Sequence, residues 1–199
     1  VPPSTKPGAE VLFPEPVPGT SSRSSYPGEP GSGLFGSPAS SQQTTEPPAT
    51  SKRGLPGFVQ VEEGLASGRK PTLDGYDSLK QAGYRTVIYL YAAGADVSAP
   101  REVAEKRGFS FTGIETSPEK LASAVDAFNL ALSDRSSRPA YVFDDDGVRA
   151  GVLWYLHFRT AEGSSDEVAR VRAKPLGYGS QGTDSQAFAL AIQRFLETR

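Results

Sequence analysis

The sequence predicts an α/β domain with a mainly parallel central sheet and helices on both faces, preceded by a disordered N-terminal arm. Three observations predict it. Eleven of the seventeen prolines fall between Val1 and Thr50, mixed with Ser, Gly, Thr and Gln, and the few apolar residues there keep no strand or helix period. Beyond Gly54 to Phe58, short apolar and β-branched runs alternate with stretches of helical spacing, as in crossover-connected sheets. One of those runs feeds directly into a tight loop and a strongly apolar helix, and ligands in such sheets bind at the carboxyl ends of strands.

The arm, residues 1–55, has too little apolar surface to offset the entropy of ordering it and reads as a flexible Pro/Ser/Gly-rich linker. Residues 56–199 then form one domain of about 140 residues, large enough for a self-sufficient core. A formal net charge of −2 with scattered Lys and Arg gives no footprint for nucleic acid. No apolar run is long enough to span a bilayer. The absence of cysteine excludes disulfides, thiolate metal sites and thiol nucleophiles together. A chain that starts at Val1 fits a processed, extracytoplasmic or membrane-tethered product whose arm is a spacer, and equally a cut fragment.

Within the domain, Phe58 to Val61, a break at Glu62-Glu63-Gly64, and Leu65-Ala66 read as a short hairpin at a sheet edge. Thr72 is an N-cap for a helix presenting Leu73, Tyr76, Leu79 and Ala82 on one face, closed by Gly83. Thr86 to Tyr91 is an uninterrupted apolar run, the mark of a parallel strand buried on both faces. Pro100 opens a short helix that Gly108 ends before the Phe109 to Ile114 strand. Ser117-Pro118-Glu119 reads as cap, first-turn proline and first-turn acid of a helix carrying Leu121, Ala124, Val125, Phe128 and Leu132. Ala140 to Phe143 is another buried strand, followed by the loop Asp144 to Arg149 and a helix through Val152, Leu153, Trp154, Leu156 and Phe158. Ser164 to Glu167 cap a further helix ended by Pro175 and Gly177, and Asp184 or Ser185 starts a last one with Phe188, Leu190, Ala191, Ile192, Phe195 and Leu196.

The order of these segments and several local words resemble the dual-specificity branch of the protein tyrosine phosphatase superfamily, including the bacterial beta-lactamase-hydrolase-like group. The resemblance spans about Phe58 to Tyr178. Its carriers are Leu65 to Pro71, similar to the family's Ser-Gly-Gln-Pro turn, then Leu79 to Leu90, Gly108 to Phe111, and Ala140 to Phe143 before the loop. It implies a three-layer phosphatase-like domain whose catalytic loop reads His-Cys-x5-Arg-Thr-Gly, a thiolate cradled by backbone N–H groups at a helix N-terminus. The corresponding word here runs from Phe143 to Gly151. Asp144 takes the nucleophile's place, Gly147 matches the family glycine, and Arg149 arrives one residue early. The resemblance therefore implies a degenerate loop, Asp144, Asp145, Asp146, Gly147 and Arg149, with no catalytic residue assignable. Asp144, Gly147, Val148 and Arg149 are the candidate ligand-binding residues.

A carboxylate at this place repels a phosphate dianion and can itself fold into the N–H nest as a substitute for the ligand. The same residues also read as the Asp-rich N-cap of a buried helix with no ligand role. The expected function is accordingly a catalytically inactive phosphatase-like domain, a pseudophosphatase, that binds or scaffolds an unknown protein partner or anionic ligand and needs no cofactor.

Tyr141 to Val148 also resembles the first motif of haloacid-dehalogenase-type phosphohydrolases, and that resemblance implies Asp144 as nucleophile, Asp146 as acid/base, and Mg²⁺ bridging carboxylate and phosphate, with Asp144 and Asp146 as the metal-binding residues. That family places the motif near the start of its domain, whereas only about fifty residues follow it here and they lack its acidic pair. Residual activity of a divergent phosphatase is the other enzymatic alternative, with Glu115 or Glu119 the nearest acids in order. His157, the sole histidine, lies among core positions; Trp154, Tyr89 and Tyr91 fit packing; Ser164 and Ser165 fit a cap.

Overall fold

Continuous apolar runs become interior strands, and their flanking turns fix the order in which helices cover them. The computed structural model describes residues 52–182 and 184–198. A hairpin of β1 (Val59–Glu62) and β2 (Leu65–Arg69) leads to α1 (Leu73–Gln81), β3 (Thr86–Tyr91), α2 (Ser98–Lys106) and β4 (Ser110–Glu115). Then follow α3 (Leu121–Ser133), β5 (Ala140–Asp144), α4 (Val148–Thr160), α5 (Asp166–Ala173) and α6 (Ser185–Glu197). The sheet order is β1-β2-β5-β3-β4. β1 is antiparallel to β2, while β2, β5, β3 and β4 are mutually parallel, as the buried runs at 86–91 and 140–143 predict.

The pleat divides the core. Tyr141 and Phe143 of β5 pack with Tyr76 and Leu79 of α1 and Ala104 of α2 on one face. Ala140 and Val142 face Phe128 of α3, Leu153 and Trp154 of α4, Ala169 of α5 and Phe188 of α6 on the other. Phe128 and Leu153 are fully buried, and truncating a side chain like Phe128 to alanine costs about 3–5 kcal/mol. The sole tryptophan, Trp154, donates its Nε1–H to Ser67 Oγ at 3.0 Å, which satisfies an otherwise buried donor and ties α4 to β2.

Local chemistry explains the boundaries. Thr72 caps α1 by accepting the Gly75 N–H at 3.2 Å, and Gly83 leaves the helix at φ +83°. The amphipathic face of α1 is narrower than the sequence suggests: Tyr76 and Leu79 are buried, but Leu73 and Ala82 are exposed. Likewise Leu190 of α6 points to solvent while Phe188, Ile192 and Phe195 are buried. α3 starts at Leu121 rather than beside Ser117; Ser117 and Pro118 lead instead into a turn in which Ser117 Oγ accepts the Lys120 N–H at 3.3 Å. The folded unit also begins earlier than residue 56, because Leu55 is buried and Gly54 O accepts the Thr72 N–H at 3.0 Å. The remainder of the predicted arm, residues 1–51, lies outside the described residues.

Candidate functional site

The parallel strands deliver their carboxyl ends to one edge, and β5 ends there in Asp144, opposite Arg69 of β2. The chain then turns through Asp145 and Asp146 to Gly147, which adopts φ +93°, and enters α4 at Val148. A helix starting here leaves N–H groups without intrahelical partners. Asp144 takes them: Oδ1 accepts the Gly147 N–H at 2.8 Å, and Oδ2 accepts those of Arg149 at 2.8 Å and Ala150 at 3.2 Å. Asp146 Oδ1 accepts the Val148 N–H at 3.0 Å. The loop thus forms a nest of inward N–H groups at a helix N-terminus, and the Asp144 carboxylate sits inside it.

Asp144 is 0% exposed. Burial pushes its carboxyl up to about 6, outweighing the N–H groups of Ala150, Gly147 and Arg149 that favour the anion, while Asp146 pushes in the same direction as burial. At neutral pH the nest therefore holds a negative charge of its own.

Arg149 is brought to the loop but its guanidinium is committed elsewhere. Its Nε donates to Thr116 O at 3.2 Å and its Nη2 to Asp184 Oδ2 at 3.1 Å, with Asp146 Oδ1 at 3.9 Å from Nη1. The side chain is 5% exposed, so these partners replace the solvent it has lost. The guanidinium therefore lies against the Thr116 backbone and the residue that precedes α6. Asp145 lies on the outer side, accepting from Tyr89 Oη at 2.8 Å and facing Lys70 Nζ at 3.6 Å. Burial and that hydrogen bond raise the Tyr89 hydroxyl well above its ordinary value.

Asp144, Asp145, Asp146, Gly147 and Arg149 lie together at the end of β5, and Tyr89, Lys70, Thr116 and Asp184, which no local pattern assigned to this loop, surround them. Tyr89 also packs, as expected, against Phe143 and Tyr91. Asp184 was legible only as a helix start; it does precede α6, at φ +64°, yet its side chain makes no cap and reaches Arg149 instead. Glu115 pairs with Lys120 at 2.8 Å. Glu119 is held below its usual value by hydrogen bonds from its own N–H and from Ser117. Neither acid makes a hydrogen bond or ion pair with the loop. His157 is a half-buried helix residue whose Nδ1 lies 2.7 Å from Asn129 Oδ1, and burial lowers its pKa.

The residues do not fit the Mg²⁺ reading. Both Asp144 oxygens face backbone N–H donors, Asp146 Oδ1 faces another, and among the described residues no group of three or more His, Asp or Glu side chains is placed to hold a metal ion. The loop also follows the last strand of the sheet in chain order, not the first.

No protein-family model and no curated protein matches the sequence. Solved structures do match. TpbA of Pseudomonas aeruginosa aligns with a TM-score of 0.58 at 13% identity, covering 75% of this chain and 92% of that one. A candidate phosphatase of the DUF442 group from Shewanella putrefaciens aligns with a TM-score of 0.55 at 16% identity, covering 73% and 94%. Tk-PTP in its active form aligns with a TM-score of 0.53 at 20% identity, covering 72% and 98%. The likeness at these identities is one of fold, shared with these solved structures.

Proposed function

We propose that this chain is a phosphatase-like domain that has lost phosphoryl-transfer chemistry and serves as a binding or scaffolding module. The observation that supports it is the Asp144 carboxylate, which accepts the Gly147, Arg149 and Ala150 N–H groups. A phosphate dianion entering the nest meets a negative charge that already holds the Gly147, Arg149 and Ala150 N–H groups. The sequence supplies no thiolate, and Arg149 is directed to Thr116 and Asp184. The partner is a protein or an anionic ligand that reads the outer surface of the domain rather than the loop interior.

The test is turnover of an aryl phosphate by wild type, Asp144→Cys and a full graft of the family loop, each with and without Mg²⁺. Wild type and Asp144→Cys are expected to stay at the blank, because Asp145 and Asp146 beside a new thiol raise its pKa and Arg149 remains one residue early. A displacement of about an ångström costs on the order of a hundredfold in rate. Wild-type turnover that requires Mg²⁺ and vanishes in Asp144→Asn would overturn the proposal in favour of an aspartyl-phosphate mechanism.

A further inference from the structure

Beside the filled nest lies a second concavity with opposite character. A notch of about 130 Å³ opens between the β2 end and the turn after α5, and it is lined by Arg69, Lys174 and Ser180 together with Gly57, Gly68 and Gly177. None of the residues lining it is acidic. Most cations near the site are engaged: Lys70 with Asp145, Arg149 with Asp184, Arg170 with Asp166, and Arg172 with Glu162. The Arg69 and Lys174 side chains, by contrast, make no hydrogen bond or ion pair among the described residues.

The fold places them there for identifiable reasons. Ser67 of β2 turns inward to Trp154, so Arg69, two residues on, emerges on the same side of the sheet at the strand's end. Its Nε lies 3.8 Å from where a Cβ on Gly147 would stand. The opposite wall comes in close because Gly177 has no side chain: a Cβ there would lie 2.1 Å from Gly147 O. Gly177 also takes φ +106°, which closes the 3-10 turn carrying Lys174. Two cations, a hydroxyl and side-chain-free backbone facing one small space make a receptor for a compact anion, and a guanidinium offers paired donors to a tetrahedral oxyanion.

We infer that this notch binds a phosphoryl or equivalent tetrahedral oxyanion, held by Arg69 and Lys174. The inference does not depend on the loop's inactivity, since it concerns different side chains. The source of the oxyanion is either free phosphate or a phosphorylated side chain, and the chemistry at the notch is the same for both.

The experiment titrates the ¹⁵N-labelled full chain with inorganic phosphate, with a short phosphoserine peptide and with its unphosphorylated counterpart. Amide shifts at Gly57, Gly68, Gly177 and Ser180 are expected with phosphate or the phosphopeptide and not with the unphosphorylated peptide. Arg69→Gln and Lys174→Gln should each weaken binding about tenfold, the scale of one charge-assisted contact. Both positions are exposed, so unchanged thermal stability separates lost binding from lost folding. Arg194→Gln, which removes a cation outside the notch, should leave binding unaltered. Tighter binding of the phosphopeptide than of phosphate identifies a phosphorylated partner as the source, and equal or weaker binding identifies the free anion. Shifts absent with both phosphate and phosphopeptide, or shifts that persist in the Arg69→Gln/Lys174→Gln double variant, would overturn the inference.

Discussion

Arg149 Nη2 donates to Asp184 Oδ2 at 3.1 Å, joining the first turn of α4 to the residue that precedes α6. The link spends on structure the guanidinium that a phosphate site would present to its ligand. Arg149 is buried and Asp184 is about half exposed, so the pair is anchored on one side and solvated on the other. Asp184→Ala should lower unfolding free energy by about 1–2 kcal/mol in urea melts, more than a surface pair and less than a fully buried one. Asp184→Asn keeps an acceptor oxygen and tolerates the left-handed backbone at φ +64°, so its loss should be smaller. Equal losses in the two variants would mean that the charge, not the hydrogen bond, holds α6.

Asp144 should impose a pH dependence on stability with a defined sign. Burial raises its folded carboxyl from 3.8 to about 6, so between those values the folded state holds a proton that the unfolded state lacks. Its contribution therefore disfavours folding as pH rises from about 4 to about 6 and is constant above, on the order of 3 kcal/mol in total. Carboxylates with lowered pKa, such as Asp134 and Asp166, slope the other way, but they are common to wild type and Asp144→Asn. The difference in Tm between the two proteins should thus shift against wild type across that window. A flat difference would show that the N–H groups fully compensate burial.

Ser67→Ala leaves the buried Trp154 indole N–H without its acceptor. The expected cost is about 1–3 kcal/mol. Because Trp154 is the only tryptophan, its emission reports the same event without interference. Unchanged stability and emission would mean that another acceptor serves the indole.

Gly151→Ala should be more damaging than helix propensity suggests. Alanine is the better helix former, yet a Cβ at Gly151 would lie 2.1 Å from the Tyr178 backbone N. Forced separation of α4 from the turn after α5 should cost about 1–3 kcal/mol, read by thermal melts. A neutral or stabilising result would show that this turn yields easily.

Much of the fold was legible because burial on both faces writes uninterrupted apolar runs, as at Thr86 to Tyr91 and Ala140 to Phe143, and because Thr72, Gly83 and Ser165 carry standard end signals. The exposure of Leu73 and Leu190 was not legible, since which turn of an amphipathic helix reaches the sheet depends on how the helix is docked. The loop could be found from strand, glycine and helix in succession. The Arg149 partners could not, because Thr116 and Asp184 lie 33 and 35 residues away and neither carries a local pattern pointing to the loop. Arg69 and Lys174 were equally hidden, being ordinary surface cations until the glycines bring their elements together.

The central claim, that the Asp144 carboxylate occupies the nest in place of an anionic ligand, is tested most directly by following the Arg149 and Ala150 amides during a vanadate titration of wild type and Asp144→Ser at neutral pH. In wild type both N–H groups are held by Asp144 Oδ2 and should not shift, whereas in Asp144→Ser, with the built-in charge removed, they should shift and saturate. Saturable shifts of these two amides that persist in Arg69→Gln/Lys174→Gln, where the neighbouring notch has lost its cations, would contradict the account, because they would show that the nest is open to an external anion.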